Sequence, residues 1–150
     1  MNVKQWVDNP VSRLFQALDQ RKAEGFRGGF EPIPDVVLFT DAIRGDLRRR
    51  NCSQTLRHML AAIEVKASER ARSRLGPGEV RSDIDKLAAH RAEVKARSGE
   101  MIPVMMVIDT APLVEERMTP HAIAACRARA VELDVDWYYV AANVEHHPDI

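Results

Sequence analysis

MLAAIEVKA, residues 59–67, is apolar and of strand length except where Glu64 and Lys66 interrupt its second half. Side chains alternate across a strand, so Glu64 and Lys66 share one face while Ile63 and Val65 point to the other. A carboxylate and an ammonium at the end of a largely buried strand cost several kcal/mol, roughly, unless they are paired or hold a metal. The ordinary alternative is a salt-bridged pair on an exposed strand end.

Upstream of this run, Asp35-Val-Val-Leu-Phe-Thr40 is a β-branched and aromatic stretch that reads as a buried strand entered directly after Pro34. The Gly- and Pro-rich segment 26–34 has room for a short irregular strand. Before it, Asn9-Pro10 reads as a helix cap, with Val11, Leu14, Phe15 and Leu18 at helical spacing until Gly25. Residues 41–57 are polar and arginine-rich, suited to a long connection or a short helix across a hairpin.

Downstream, residues 67–79 end in Gly-Pro-Gly and read as a loop. A helix is expected from about Val80, with Val80, Ile84, Leu87 and Val94 as its apolar stripe and Gly99 as its stop. PVMMVID (103–109) is apolar on both faces, the pattern of a parallel strand buried on both sides. Thr119-Pro120 opens a third helix through about Leu133, and residues 137–141 make a last strand. The expected fold is α/β, a central mixed β-sheet flanked by helices in the order α-β-β-β-α-β-α-β. One domain is expected over residues 1–150.

Composition narrows the function classes. With 22 Lys and Arg against 22 Asp and Glu, the chain has no overall positive field of the kind a general nucleic-acid binder carries. Basic residues nonetheless crowd two segments, Arg44 to Arg57 and Lys66 to Arg81. No apolar run approaches the roughly 18 residues that span a bilayer, and the first ten residues lack a signal-peptide core, so a cytoplasmic protein with no membrane partner is expected. Cys52 and Cys126 are far apart without metal-ligand spacing and read as reduced thiols. Walker and GxGxxG phosphate loops and a serine-nucleophile elbow are absent from the sequence. The association state stays open, a homodimer included.

Pairing of the strand that begins at Asp35 with 59–67 brings the Asp35 carboxylate toward Glu64. Two carboxylates plus a backbone carbonyl, that of Val65, form an oxygen-rich set suited to Mg²⁺ or Mn²⁺, leaving coordination positions for water and a phosphate oxygen. On the following helix, Asp83, Lys86 and His90 fall on one flank and could face the same place, although Lys86 alone is an ordinary solvated lysine and His90 alone surface decoration. Asp41 is the substitute if Asp35 points away.

Pro34-Asp35, then Glu64-Val65-Lys66, then a helix carrying Asp83-Ile84-Asp85-Lys86-Leu87, resembles the PD-(D/E)xK, restriction-endonuclease-like nuclease superfamily over residues 10–110. The resemblance implies that Asp35 and Glu64 bind Mg²⁺, that Lys66 positions or activates the attacking water, and that Lys86 assists from the helix. Glu24 is the nearest match for an acidic residue that some members carry on the first helix. The implied activity is hydrolysis of phosphodiester bonds in nucleic acid, with DNA the expected substrate. A fold of the same kind without hydrolysis, serving as a nucleic-acid or protein binding module, is the alternative, and an enzyme of small phosphorylated molecules a third. An acid-x-Lys triplet is expected by chance about 0.7 times in such a composition, and the chain holds a second copy, Glu93-Val94-Lys95. That copy lies in a helical, solvent-patterned stretch where its charges are expected to cost little, so strand context separates the two.

Overall fold

The computed structural model describes residues 6–26, 28, 29, 31–43, 52–68 and 74–141. Its elements run α1 (Arg13–Gln20), β1 (Val36–Phe39), α2 (Cys52–Arg57), β2 (Met59–Ala67), α3 (Pro77–Ala96), β3 (Ile102–Asp109), α4 (Pro120–Glu132) and β4 (Asp136–Ala141), with single 3-10 turns at Glu24–Phe26 and Val114–Glu116. The strands form one mixed sheet in the order β1-β2-β3-β4. β1 pairs antiparallel with β2, while β2, β3 and β4 run parallel, joined by α3 and α4 as crossovers. No helix among the described residues is long and apolar enough to cross a membrane.

The α/β class, the mixed sheet and the alternation of strands and helices after β2 agree with the sequence reading. Before β2 the structure shows less: among the described residues of 26–34 there is only the end of a 3-10 turn, a bend and irregular chain, so β1 and β2 are the strands before α3 among the described residues, while Arg27 and Phe30 lie outside them. Prolines 32 and 34, lacking backbone donors, suit an extended run better than a sheet ladder. The short helix allowed between residues 41 and 57 is α2.

Helix ends were less legible than helices. α1 is capped by Ser12, not Asn9, because the Ser12 hydroxyl accepts the Phe15 N–H while Asn9 sits at φ 46°. α1 also stops at Gln20, five residues before Gly25. α3 starts at Pro77, three residues before the apolar stripe, since proline is well suited to a first helical position where its missing N–H goes unused. Ser98 takes the left-handed conformation after α3, and Gly99 donates to the Val94 carbonyl at 3.0 Å. A Cβ on Gly99 would lie 2.7 Å from the Arg57 carbonyl oxygen, so the end of α2 packs where only glycine fits.

The core lies between the helices and one face of the sheet. Val80, Ile84, Leu87 and Val94 of α3 and Ala122, Cys126 and Ala130 of α4 pack with Met105 and Val107 of β3, Ala62 of β2, and the partly buried Val37, Phe39, Trp137 and Tyr139. Phe15 of α1 joins this core, and α1 packs on α3. Cys126 is a buried free thiol. β3 alternates strictly, with Pro103, Met105, Val107 and Asp109 buried and Ile102, Val104, Met106 and Ile108 more open. The expectation that β3 is buried on both faces is therefore corrected. Met105 fills the core, whereas its neighbour Met106 looks out of the other face.

Candidate functional site

Register explains the meeting of the two acids. Val36 pairs with Ile63 and Val37 with Ala62, so the antiparallel ladder carried one residue further sets Asp35 opposite Glu64. β1 begins next to that position, and β2 runs on past it with no further strand on its outer edge among the described residues. The Val65 N–H on that edge donates instead to Asp35 Oδ2 at 2.8 Å. In an extended strand the N–H and C=O of one residue point the same way, so the Val65 carbonyl is also directed to the Asp35 side. Asp35 is exposed, yet its carboxyl is within hydrogen-bonding reach of the half-buried Glu64.

Two carboxyls so close disfavour a second negative charge. Burial first, then the charges of Asp35 and Asp83 and a hydrogen bond with Asp35, push the Glu64 carboxyl up to about 7. The nearby Lys66 ammonium opposes this without cancelling it. Lys66 is committed elsewhere: its Nζ lies 2.8 Å from Asp83 Oδ2, while Lys86 Nζ donates to Asp83 Oδ1, also at 2.8 Å. Asp83 is buried on α3. Burial alone would raise its pKa, but hydrogen bonds from Lys66 and then Lys86 outweigh it and hold Asp83 below the usual carboxylate range. The same hydrogen bond to Asp83 raises the Lys66 ammonium above its ordinary value and keeps it charged.

Asp35 and Glu64 form one hydrogen-bonded pair and Lys66, Asp83 and Lys86 a second group, and the two, set between the start of β1, β2 and α3, influence each other through charge. Three carboxyls against two ammonium groups leave one negative charge in excess when all are ionised. Among the described residues no three His, Cys, Asp or Glu side chains are placed to hold a metal ion. The acidic part is a pair, Asp35 and Glu64, supplemented by the Val65 carbonyl. Mg²⁺ suits such a set, because it is commonly held by one or two carboxylates and keeps water or phosphate in its remaining positions. Burial and then the neighbouring Asp35 and Asp83 charges push Glu64 up to about 7, and a divalent cation would offset both.

A cavity of about 240 Å³ adjoins the pair and is lined by Glu31, Pro34, Glu64, Lys86, His90 and Phe15, among others. His90 is not surface decoration: it is 1% exposed, packs its ring 6.1 Å from that of Phe15, and finds no hydrogen-bond partner at Nε2 among the described residues. Complete burial pushes its imidazole down to about 3, so it is neutral. Glu31, whose position in a Pro-rich stretch gave no signal, was not anticipated here. Two larger surface depressions, of about 640 and 650 Å³, lie along β3, β4 and the ends of α3 and α4, away from these residues. Their size is a weaker guide than the perturbed acid.

Glu24 and Asp41, by contrast, are exposed in turns, and neither is needed by the cluster. The Arg44, Arg48, Arg49 and Arg50 group and Arg70 and Arg72 lie outside the described residues, as does the His146-His147 pair. A further buried acid went unnoticed in the sequence: Asp109, at the end of β3, accepts the Met118 N–H at 2.8 Å and the Tyr139 hydroxyl at 2.6 Å. These bonds, with one from Ser68, hold it below the usual carboxylate range despite burial, and it ties β3 to β4 and to the entry of α4.

Comparison of the chain with protein-family models, with curated proteins and with solved structures finds no match.

Proposed function

We propose that this protein is a Mg²⁺- or Mn²⁺-dependent phosphodiesterase of the PD-(D/E)xK nuclease type, with a restriction-endonuclease-like core, that hydrolyses nucleic acid, DNA in the first instance. The observation that carries this reading is the meeting of the Asp35 and Glu64 carboxyls at the edge of β2, beside a lysine that a third acid holds in place. Asp35, Glu64 and the Val65 carbonyl would hold the cation. Once bound, it supplies Lewis-acid polarisation of a phosphoryl oxygen and lowers the pKa of a coordinated water.

The chain's own side chains divide the remaining work. Lys66, kept protonated by Asp83, is unsuited to accept a proton and suited to stabilise negative charge as it develops on a phosphate oxygen. Lys86, half-exposed and tied to the same carboxylate, adds a second positive charge on the cavity side. Asp83 is a positioning residue, since it fixes both ammonium groups. With zero net charge on the chain, phosphate recognition falls to these local groups.

Mg²⁺ titration of the wild-type protein by calorimetry, alongside Asp35→Asn and Glu64→Gln, tests the reading. Binding in the wild type is expected to vanish in both variants, and DNA cleavage to fall by at least about a thousandfold. Lack of Mg²⁺ and Mn²⁺ affinity at millimolar concentration in the wild type would defeat it.

A further inference from the structure

The face of the sheet away from the helices is apolar and, among the described residues, no helix packs on it, although Ala61 within it is buried by its neighbours. Its register positions are Val36 and Leu38 of β1, Ala61, Ile63, Val65 and Ala67 of β2, Ile102, Val104, Met106 and Ile108 of β3, and Asp136, Tyr138 and Val140 of β4. Of these thirteen, Asp136 at the edge is the one charged residue. Val36, Leu38, Ile102, Tyr138 and Val140 are each between 43% and 53% exposed, and none of the β3 residues on this face belongs to the core cluster.

Parallel strands are found almost only in sheets covered on both faces, because their side chains are apolar on both. Here β2, β3 and β4 are parallel and the central β3 carries that two-sided apolar pattern, while α3 and α4 both pack on the Met105 and Val107 side. The exposed apolar area is on the order of 600 Å², at the top of what a monomer ordinarily shows and near the roughly 800 Å² per partner of a stable interface.

We infer that this face is the interface of a homodimer, in which the open faces of two copies pack against each other as the two sheets of a sandwich. The surface fits a second copy for three reasons. It lacks charge, so a partner must present an equally apolar face, and this chain has one. Its Val and Ile side chains are stiff at χ1 and make a flat layer, which stacks on a like layer at about 10 Å separation. A two-fold axis through its centre would pair each edge with the opposite edge and leave the two Asp136 carboxylates at the rim in solvent. A membrane-surface partner would call for Lys or Arg among these positions, and there is none. The inference does not rest on the proposed activity, whose side chains lie on the other face.

Sedimentation equilibrium of the full chain at about 100 µM tests it, together with the double variant Val104→Lys/Met106→Lys. The wild type is expected at twice the chain mass of 16.9 kDa, and the double variant at the single mass with unchanged far-ultraviolet circular dichroism. If the double variant does not fold, Tyr138→Lys, half-exposed near the edge, is expected to raise the dissociation constant by about tenfold or more. A wild-type monomer at this concentration overturns the inference, and so does a dimer that neither variant weakens. A wild-type monomer that co-floats with phosphatidylcholine vesicles would assign the face to lipid and equally overturn it.

Discussion

The tripeptide Glu-Val-Lys occurs twice, at 64–66 on β2 and at 93–95 on α3, and its two glutamates meet opposite surroundings. Glu93 is fully buried, which the solvent-patterned helix did not lead one to expect, because α1 packs over that side of α3. It is also fully engaged: Oε1 accepts the Ser12 N–H at 2.8 Å and Oε2 accepts Arg97 Nη1 at 2.8 Å. Arg97 Nη2 in turn bonds the Asp8 carbonyl, so the acid fastens the start of α1 to α3. Glu64 is less buried but faces a second carboxyl, while its neighbouring lysine is taken by Asp83. Depth of burial therefore does not mark a functional acid. The two sites differ instead in local charge balance: positive charge is in deficit around Glu64 on β2 and matched at Glu93 on α3, where Arg97 pairs with it.

The largest effect that would sharpen this contrast is expected at the satisfied acid. Glu93→Gln leaves Arg97 without its buried partner and should cost about 3 kcal/mol, read from the urea unfolding midpoint. A loss below about 1 kcal/mol would break the contrast, because Glu93 would then be no better anchored than a surface residue.

Glu64→Gln should act in the other direction. The folded pKa of Glu64 lies above its ordinary 4.5, so the folded chain holds its proton more tightly than the unfolded chain does. That contribution is fully present below about pH 4.5 and is lost as pH rises through about 7. In metal-free protein above pH 7, Glu64→Gln should stabilise by about 1 kcal/mol once solvent screening is allowed for, and the pH slope between 4.5 and 7 should flatten. Thermal unfolding at pH 5 and pH 8 measures both. Destabilisation of the variant at pH 8 would show that the carboxylate is satisfied after all.

The smallest effects concern the lysines. Lys95 is exposed, so Lys95→Met should change stability by less than about 0.5 kcal/mol. Lys66→Met removes one of two ammonium groups from the buried Asp83 and should cost about 1 kcal/mol. Equal values for the two would remove the distinction between the copies.

Much of this was legible along the chain. An apolar run of strand length marked β2 at its residue bounds, alternation put Glu64 and Lys66 on one face, and Pro34-Asp35 placed the second acid at a strand start. The spacing of 83 and 86 brought Asp83 and Lys86 to the cluster, although the direction of His90 into the core was missed. Helical periodicity resolves a flank, not which part of that flank a neighbouring helix covers. α1 covers the 90 and 93 positions, and nothing local to α3 announces it. No strand forms among the described residues of 26–34, for a related reason: a strand needs a partner edge, and short apolar patches cannot specify one.

What the sequence by itself determined is the set of elements whose signal is local: the apolar runs that form β2 and β3, the Thr119-Pro120 start of α4, and the one-residue spacing that puts an acid and a lysine on one strand face. What only the tertiary structure decided is which charges neutralise which. Asp83 takes Lys66 and leaves Glu64 to Asp35, Arg97 satisfies Glu93, and both crossover helices settle on one face of the sheet. Electrostatic energy depends on distances through space between residues far apart in the chain, and no periodicity encodes those distances.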